Sequence, residues 1–229
     1  MRTITRSPAP RGFTLIEVSL SLVILAVGVL AMIDAITAFR TKNAWSTHTA
    51  SAMFMASELR ELTASLPKHD ALAGGLYFDP ASGDLHGWSF ELDEFDGNGD
   101  GAGDADDYLL FDDVDDFDGI LFGTAPNPPG PVTRQFAGPI DAFGDVIPAQ
   151  AWDNAAAPLA GWSQYIEVEK IDPNDYSIVY ANDYEGAGVS AGFIRVDDFP
   201  MRVTVTVMYQ GIDDLEATEI TEVSWIVPG

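Results

Sequence analysis

Residues 96–107, DGNGDGAGDADD, place oxygen-bearing side chains at alternate positions around a glycine. A twelve-residue calcium loop takes ligands from positions 1, 3, 5, 7, 9 and 12, with glycine at position 6 for the sharp turn. Here those positions are Asp96, Asn98, Asp100, Ala102 through its backbone carbonyl, Asp104 and Asp107, with Gly101 at the turn. Hard oxygen donors at this spacing suit Ca²⁺ rather than zinc or copper. Two features depart from the pattern: Asp107 is shorter than the usual glutamate, and no clear helix flanks the loop on either side. The alternative is a solvated acidic loop, which is what most charge runs are. A second cluster follows at once in FDDVDDFDG: Asp112, Asp113, Asp115, Asp116 and Asp118. It either adds ligands or lines a loop.

Other chemistry is poorly supported. GVSAG at 188–192 matches a G-x-S-x-G nucleophile elbow. Such a hydrolase needs its histidine after the serine. All three histidines, His48, His69 and His86, lie before it, and the FIRV that follows reads as strand. A glycine-rich turn is the better reading, and the same missing helix removes a dinucleotide-loop reading. There is no cysteine, which excludes disulfides and thiolate metal sites. Acid pairs could serve glycoside hydrolysis, but nothing separates such a pair from the general excess of acids. The sequence reads as that of a protein that is not an enzyme.

Glu17 raises a different question. From Phe13 to Ile33 run 21 residues of which Glu17 alone is charged. As a helix this stretch is about 31 Å long, close to the hydrocarbon thickness of a bilayer. Arg2, Arg6 and Arg11 precede the run, no acid does, and Asp34, Arg40 and Lys42 mark the return to water. The positive-inside rule then keeps the N-terminus cytoplasmic and sends the rest out. A cleavable secretory signal would need a small-residue site after the run, and MIDAITAFRTKNAW offers none that convinces. A plain signal anchor leaves Glu17 unexplained, because a carboxylate in that environment must find a partner.

RGFTLIEVSLSLVILAVGVLAMI resembles the N-terminus of type IV pilins and type II secretion pseudopilins. The family pattern is a basic leader, a glycine at the cleavage point, a phenylalanine as new first residue, and a glutamate four residues later. Gly12, Phe13 and Glu17 occupy those places. The resemblance implies that a prepilin peptidase cuts between Gly12 and Phe13 on the cytoplasmic face of the inner membrane and methylates the Phe13 amine. Residues 1–12 would be the leader. Glu17 would then pair with the amine of Phe13, one helical turn away, or with that of a neighbouring subunit in a filament. AVGVL and the terminal VTVTV stretch look most like PilV-type and MSHA-type minor pilins, and FDDVDDFDG resembles an acidic motif of the latter. The partners implied are other pilin or pseudopilin subunits, the prepilin peptidase and the inner membrane. The filament would lie in the periplasm or at the cell surface.

The elements that carry these residues follow from periodicity. No proline occurs between Pro10 and Pro67, which predicts one helix over 13–66, membrane-spanning over 13–33, ending before Pro67. Trp45, His48, Ala52, Met55, Leu59, Leu62 and Leu66 recur at spacings of three and four, one face of an amphipathic helix. Residues 67–229 read as an acidic, β-rich domain. MRVTVTVMYQ alternates, with Met201, Val203, Val205, Val207 and Tyr209 on one face, and forms a hairpin with EATEITEVSWIV through GIDDL. QYIEVEKI and DYSIVYAN form a second pair, turning at 172–175, and NPPGP at 127–131 is a loop. The expected fold is α+β, a long helix laid on an antiparallel sheet.

The charge bounds the partners. The chain carries 11 basic and 36 acidic residues, net −25, and losing the three leader arginines would leave 8 against 36, net −28. Residues 69–133 hold 16 acids and no lysine or arginine. Such a surface repels phosphate, so no nucleic-acid partner is expected.

Overall fold

The computed structural model describes residues 14–68, 107–148, 158–189, 192–196 and 198–229. The chain divides into two units, residues 1–47 and 48–229. A single helix, α1 (Leu15–Ala64), supplies the described part of the first unit and opens the second. It is uninterrupted at Gly28. It ends in tighter turns in which the N–H groups of Ser65 and Leu66 donate to the carbonyls of Leu62 and Thr63, just before Pro67, as a proline-restricted residue requires. In the first unit every described side chain of α1 is exposed, the apolar ones included. The helix is long and apolar enough to cross a membrane. Three of its hydroxyls are satisfied by its own carbonyls: Ser19 donates to Ile16 O (3.0 Å), Ser21 to Glu17 O (2.7 Å) and Thr37 to Ile33 O (2.9 Å). That lowers the cost of carrying polar groups into hydrocarbon.

In the second unit α1 buries Ala52, Met55, Ala56, Leu59 and Thr63. The buried face starts later than the spacing predicts, since Trp45 is 55 % exposed. The His48 ring is tilted against Tyr209 at 4.3 Å and edge-on to Trp162 at 5.5 Å. Under this face lies a six-stranded sheet, ordered β2 (Arg134–Phe136), β1 (Ile120–Phe122), β3 (Trp162–Ile171), β7 (Met201–Tyr209), β8 (Thr218–Val227), with β4 (Val179–Tyr180) also on β3. The predicted terminal hairpin is β7–β8, and the predicted turn after Ile171 leads into β4, which is only two residues long. The sheet departs from an all-antiparallel arrangement at one edge, where β1 and β2 are parallel. β5 (Gly186–Ala187) and β6 (Phe193–Ile194) form a separate small ribbon around the GVSAG stretch, with no helix after it among the described residues.

Strand alternation sets the two faces. Ile166, Val168, Met201, Val203, Val205 and Val207 point at α1 and form the main core with it. One polar residue interrupts this layer. Gln164 is fully buried; its Nε2 donates to Met55 O (3.0 Å) and Ile140 O (3.1 Å), and its Oε1 accepts from Ile140 N–H (2.8 Å). The side chain bolts helix, sheet and the loop at 140 together, so all its polar atoms are paired. The opposite face of the sheet has a smaller core of Leu121, Ala125, Tyr165, Met208 and Ala217.

Candidate functional site

Two places carry the sequence-predicted site residues. The first is the start of α1. Gly12 and Phe13 lie outside the described residues. Glu17 sits in the first turn, three residues after Thr14. Its Oε2 accepts from the backbone N–H of Thr14 (2.9 Å) and from the Thr14 hydroxyl (3.0 Å), while Thr14 Oγ1 accepts from Glu17 N–H (3.4 Å). This is a capping box, in which the two side chains satisfy backbone donors that a helix start leaves unpaired. The T-x-x-E spacing announces it in the sequence, but the apolar surroundings of Glu17 point first to a charge partner. In the described residues the carboxylate is therefore occupied at the helix start itself and positioned on the N-terminal side of α1.

The second place is the acidic segment. Asp96, Asn98, Asp100, Ala102 and Asp104 lie outside the described residues. Asp107 opens a short 3₁₀ helix, Asp107–Leu110. The neighbouring cluster is described and is structural in its wiring. Val114 and Phe117 are buried, and Val114 N–H donates to Pro67 O (3.1 Å), which ties the segment to the end of α1. Asp116 Oδ2 accepts from the N–H groups of Asp112 (3.1 Å) and Asp113 (3.2 Å). Carboxylate oxygens of Asp112, Asp113 and Asp116 lie within 4.8 Å of one another, close enough to share a cation.

Asp118 does something the sequence does not announce. On the edge of β3, β1 pairs with residues 164–166 and β4 with residues 170–171. Between them Asp118 Oδ1 accepts from Val168 N–H (2.9 Å), and Gly119 N–H donates to Ile166 O (3.0 Å). The carboxylate thus stands where a strand would be. The segment is clamped from the other side by Thr133, whose hydroxyl donates to Asp118 O (2.8 Å) and whose N–H donates to Gly119 O (2.9 Å). Gly119 adopts φ +71°, and a Cβ there would lie 2.8 Å from Thr133 Cγ2, so glycine is required. Burial pushes the Asp118 carboxyl up to about 6; Glu167 and Glu169 add to the rise, and the hydrogen bond from Val168 opposes it. Arg202, opposite Glu169 on the neighbouring strand, is committed to that carboxylate, with Nε at 2.8 Å and Nη2 at 2.6 Å from Oε2.

A second carboxylate organises the loop after β3. Asp172 is fully buried. It accepts from the N–H groups of Asn174 (2.8 Å), Asp175 (3.0 Å) and Val189 (2.5 Å) and from the Tyr180 hydroxyl (3.0 Å). Burial pushes its carboxyl up, but these donors outweigh it and hold it below the usual carboxylate range. Two residues earlier Lys170, equally buried, donates to the carbonyls of Asn182 and Tyr184 and lies over the Phe199 ring. Two buried charges of opposite sign fasten the excursion from 172 to 199. Their role is to hold a loop, and their donors and acceptors are turned inward.

Residues 9–33 match the family model of the prokaryotic N-terminal methylation motif. This motif marks type IV pilin-like proteins, substrates of prepilin peptidase that are typically structural rather than enzymatic. The matched stretch contains Gly12, Phe13, Thr14 and Glu17, and the α+β fold agrees with it. Comparison with curated proteins and with solved structures finds no significant match.

Proposed function

We propose that the chain is a minor-pilin-like subunit, cut between Gly12 and Phe13 and methylated on Phe13, that enters a type IV pilus-like filament. The single observation that carries this is the methylation motif at the head of a largely apolar helix whose described residues up to Thr47 are all exposed. Such a surface must be covered by lipid or by other helices. In the membrane the N-terminus faces the cytoplasm and the acidic domain faces out. After cleavage, Thr14 is the second residue, and the new amine of Phe13 lies within a turn of Glu17. Moving that carboxylate from the Thr14 cap to an amine of its own or a neighbouring chain would fix the axial register of subunits. Removing one partner of such a buried pair costs about 3–5 kcal/mol. A role in a type II secretion pseudopilus rests on the same motif, and finer kinship with PilV-type or MSHA-type minor pilins rests on the acidic and VTVTV stretches.

The 96–107 loop is proposed as a Ca²⁺ site through Asp96, Asn98, Asp100, Ala102, Asp104 and Asp107. The ion would offset repulsion in a segment with 16 acids over residues 69–133 and would stabilise the domain for binding at the surface. The filament reading is tested with Glu17→Ala and Glu17→Gln. Both variants are expected to be cleaved at Gly12 and depleted from sheared filaments. Incorporation of Glu17→Ala at the unmodified level would remove the pairing argument.

A further inference from the structure

The turn between β7 and β8 displays two apolar side chains outward: Ile212 is fully exposed and Leu215 is 92 % exposed. Isolated exposed aliphatic residues carry little meaning. This pair differs because the turn that presents it is fastened. Asp214 Oδ2 accepts from Gly211 N–H (3.0 Å), Asp214 N–H donates to Gly211 O (3.1 Å), and Gln210 Nε2 donates to Asp214 O (3.0 Å). On the far stem Asn127 Oδ1 accepts from Ala217 N–H (2.8 Å) and its Nδ2 donates to Ala217 O (3.2 Å), while Ala217 is buried in the cluster that contains Tyr165 and Met208. The two side chains are thus held on display by a pre-ordered turn, which reduces the entropy a contact would cost.

The charge around the tip selects the partner. Residues 203–229 contain five acids and no lysine or arginine. Asp213, between the apolar pair, and Glu216, just after it, are exposed and hold no side-chain partner among the described residues. A second copy of this chain, at −28 once residues 1–12 are lost, would meet the tip with like charge, as would an anionic lipid surface. We propose that Ile212 and Leu215 dock into an apolar cleft, rimmed by lysine or arginine, on a different subunit of the filament. This rests on the filament reading above and adds the surface and the kind of partner.

The test is a photoreactive benzoylphenylalanine at position 212 of the full chain, in cells that assemble the filament, with adducts identified by mass spectrometry. The expected result is an adduct to another subunit bearing the methylation motif. It should fall by about tenfold or more with Leu215→Ser, and likewise with Asp213→Lys plus Glu216→Lys, which leave the turn's own hydrogen bonds intact. An adduct to a second copy of this chain, an adduct to lipid, or an adduct indifferent to the charge reversal would overturn the proposal. So would the lack of any adduct while the mature chain is present in filaments. Absence of the chain from filaments would instead defeat the filament reading, and this inference with it.

Discussion

Replacing Asp118 by asparagine tests whether a buried carboxylate in the gap of β3 is a liability at neutral pH. Asparagine keeps an oxygen to accept from Val168 N–H and removes the ionisation. Burial and the neighbouring Glu167 and Glu169 raise the folded carboxyl from 3.8 to about 6. The folded state therefore binds a proton more readily than the unfolded state between those values. The associated stability is fully present below about pH 3.8 and is lost as pH rises through about 6. At pH 7.5 the full difference converts to about 3 kcal/mol, and screening at this half-buried position reduces it to about 1–2 kcal/mol. Asp118→Asn is thus expected to stabilise the domain by about 1–2 kcal/mol at pH 7.5, or about 2–4 °C in Tm per kcal/mol for a domain of this size. At pH 4 the gain should vanish. The assay is thermal unfolding of the full chain in detergent, followed by tryptophan fluorescence, across pH 4–8. Asp118→Ala, which strands Val168 N–H, should destabilise by about 1–3 kcal/mol at pH 4, and by less at pH 7.5, because alanine also removes the ionisation. A stabilisation by asparagine that is equal at pH 4 and pH 7.5, or none at pH 7.5, would refute the reasoning.

Three further outcomes follow from the same wiring. Gln164→Leu should cost about 2–4 kcal/mol in a urea melt, because it strands Ile140 N–H inside the core; a change under 0.5 kcal/mol would show that the bolt carries no load. Asp172→Ala should release the 174–189 excursion and speed proteolysis there while β7–β8 stays intact. Because the Asp172 carboxyl is held low by its donors, its contribution is present above the ordinary value of 3.8 and is lost as pH falls through the lower folded value, opposite in sign to Asp118. Unchanged cleavage would count against the anchor. Millimolar Ca²⁺ should raise the Tm of the unmodified protein and leave Asp96→Ala with Asp100→Ala unmoved; a Tm indifferent to Ca²⁺ would return 96–107 to a plain acidic loop.

The long helix was legible because no proline interrupts 11–66 and the stop at Pro67 is steric. β3, β7 and β8 were legible because their alternation reports one buried face, and the core along β7 is the predicted set from Met201 to Tyr209. The β1–β2 edge was not. Its strands are three residues each, ILF is buried throughout and shows no alternation, and the parallel pairing depends on the Asp118–Gly119–Thr133 clamp rather than on local pattern. Trp45 shares the helical spacing yet is 55 % exposed, whereas Ala52, Met55, Ala56 and Leu59 are buried, because spacing reports a face and not where its burial begins. Asp118 looked like one more charge in an acidic run, since a sequence does not show which carboxylate meets an unpaired N–H. The capping box at Thr14 and Glu17 was missed although its T-x-x-E spacing signals it, because the apolar surroundings of Glu17 drew the reading to a charge partner.

Mass spectrometry of the N-terminus, on sheared surface filaments and on membranes separately, tests the central claim most directly. The account predicts a peptide that begins at N-methylated Phe13, recovered from the filament fraction. The same peptide confined to membranes would point to a pseudopilin or an assembly-priming subunit. A chain that retains Met1 or Arg2 as its first residue in both fractions would contradict the account.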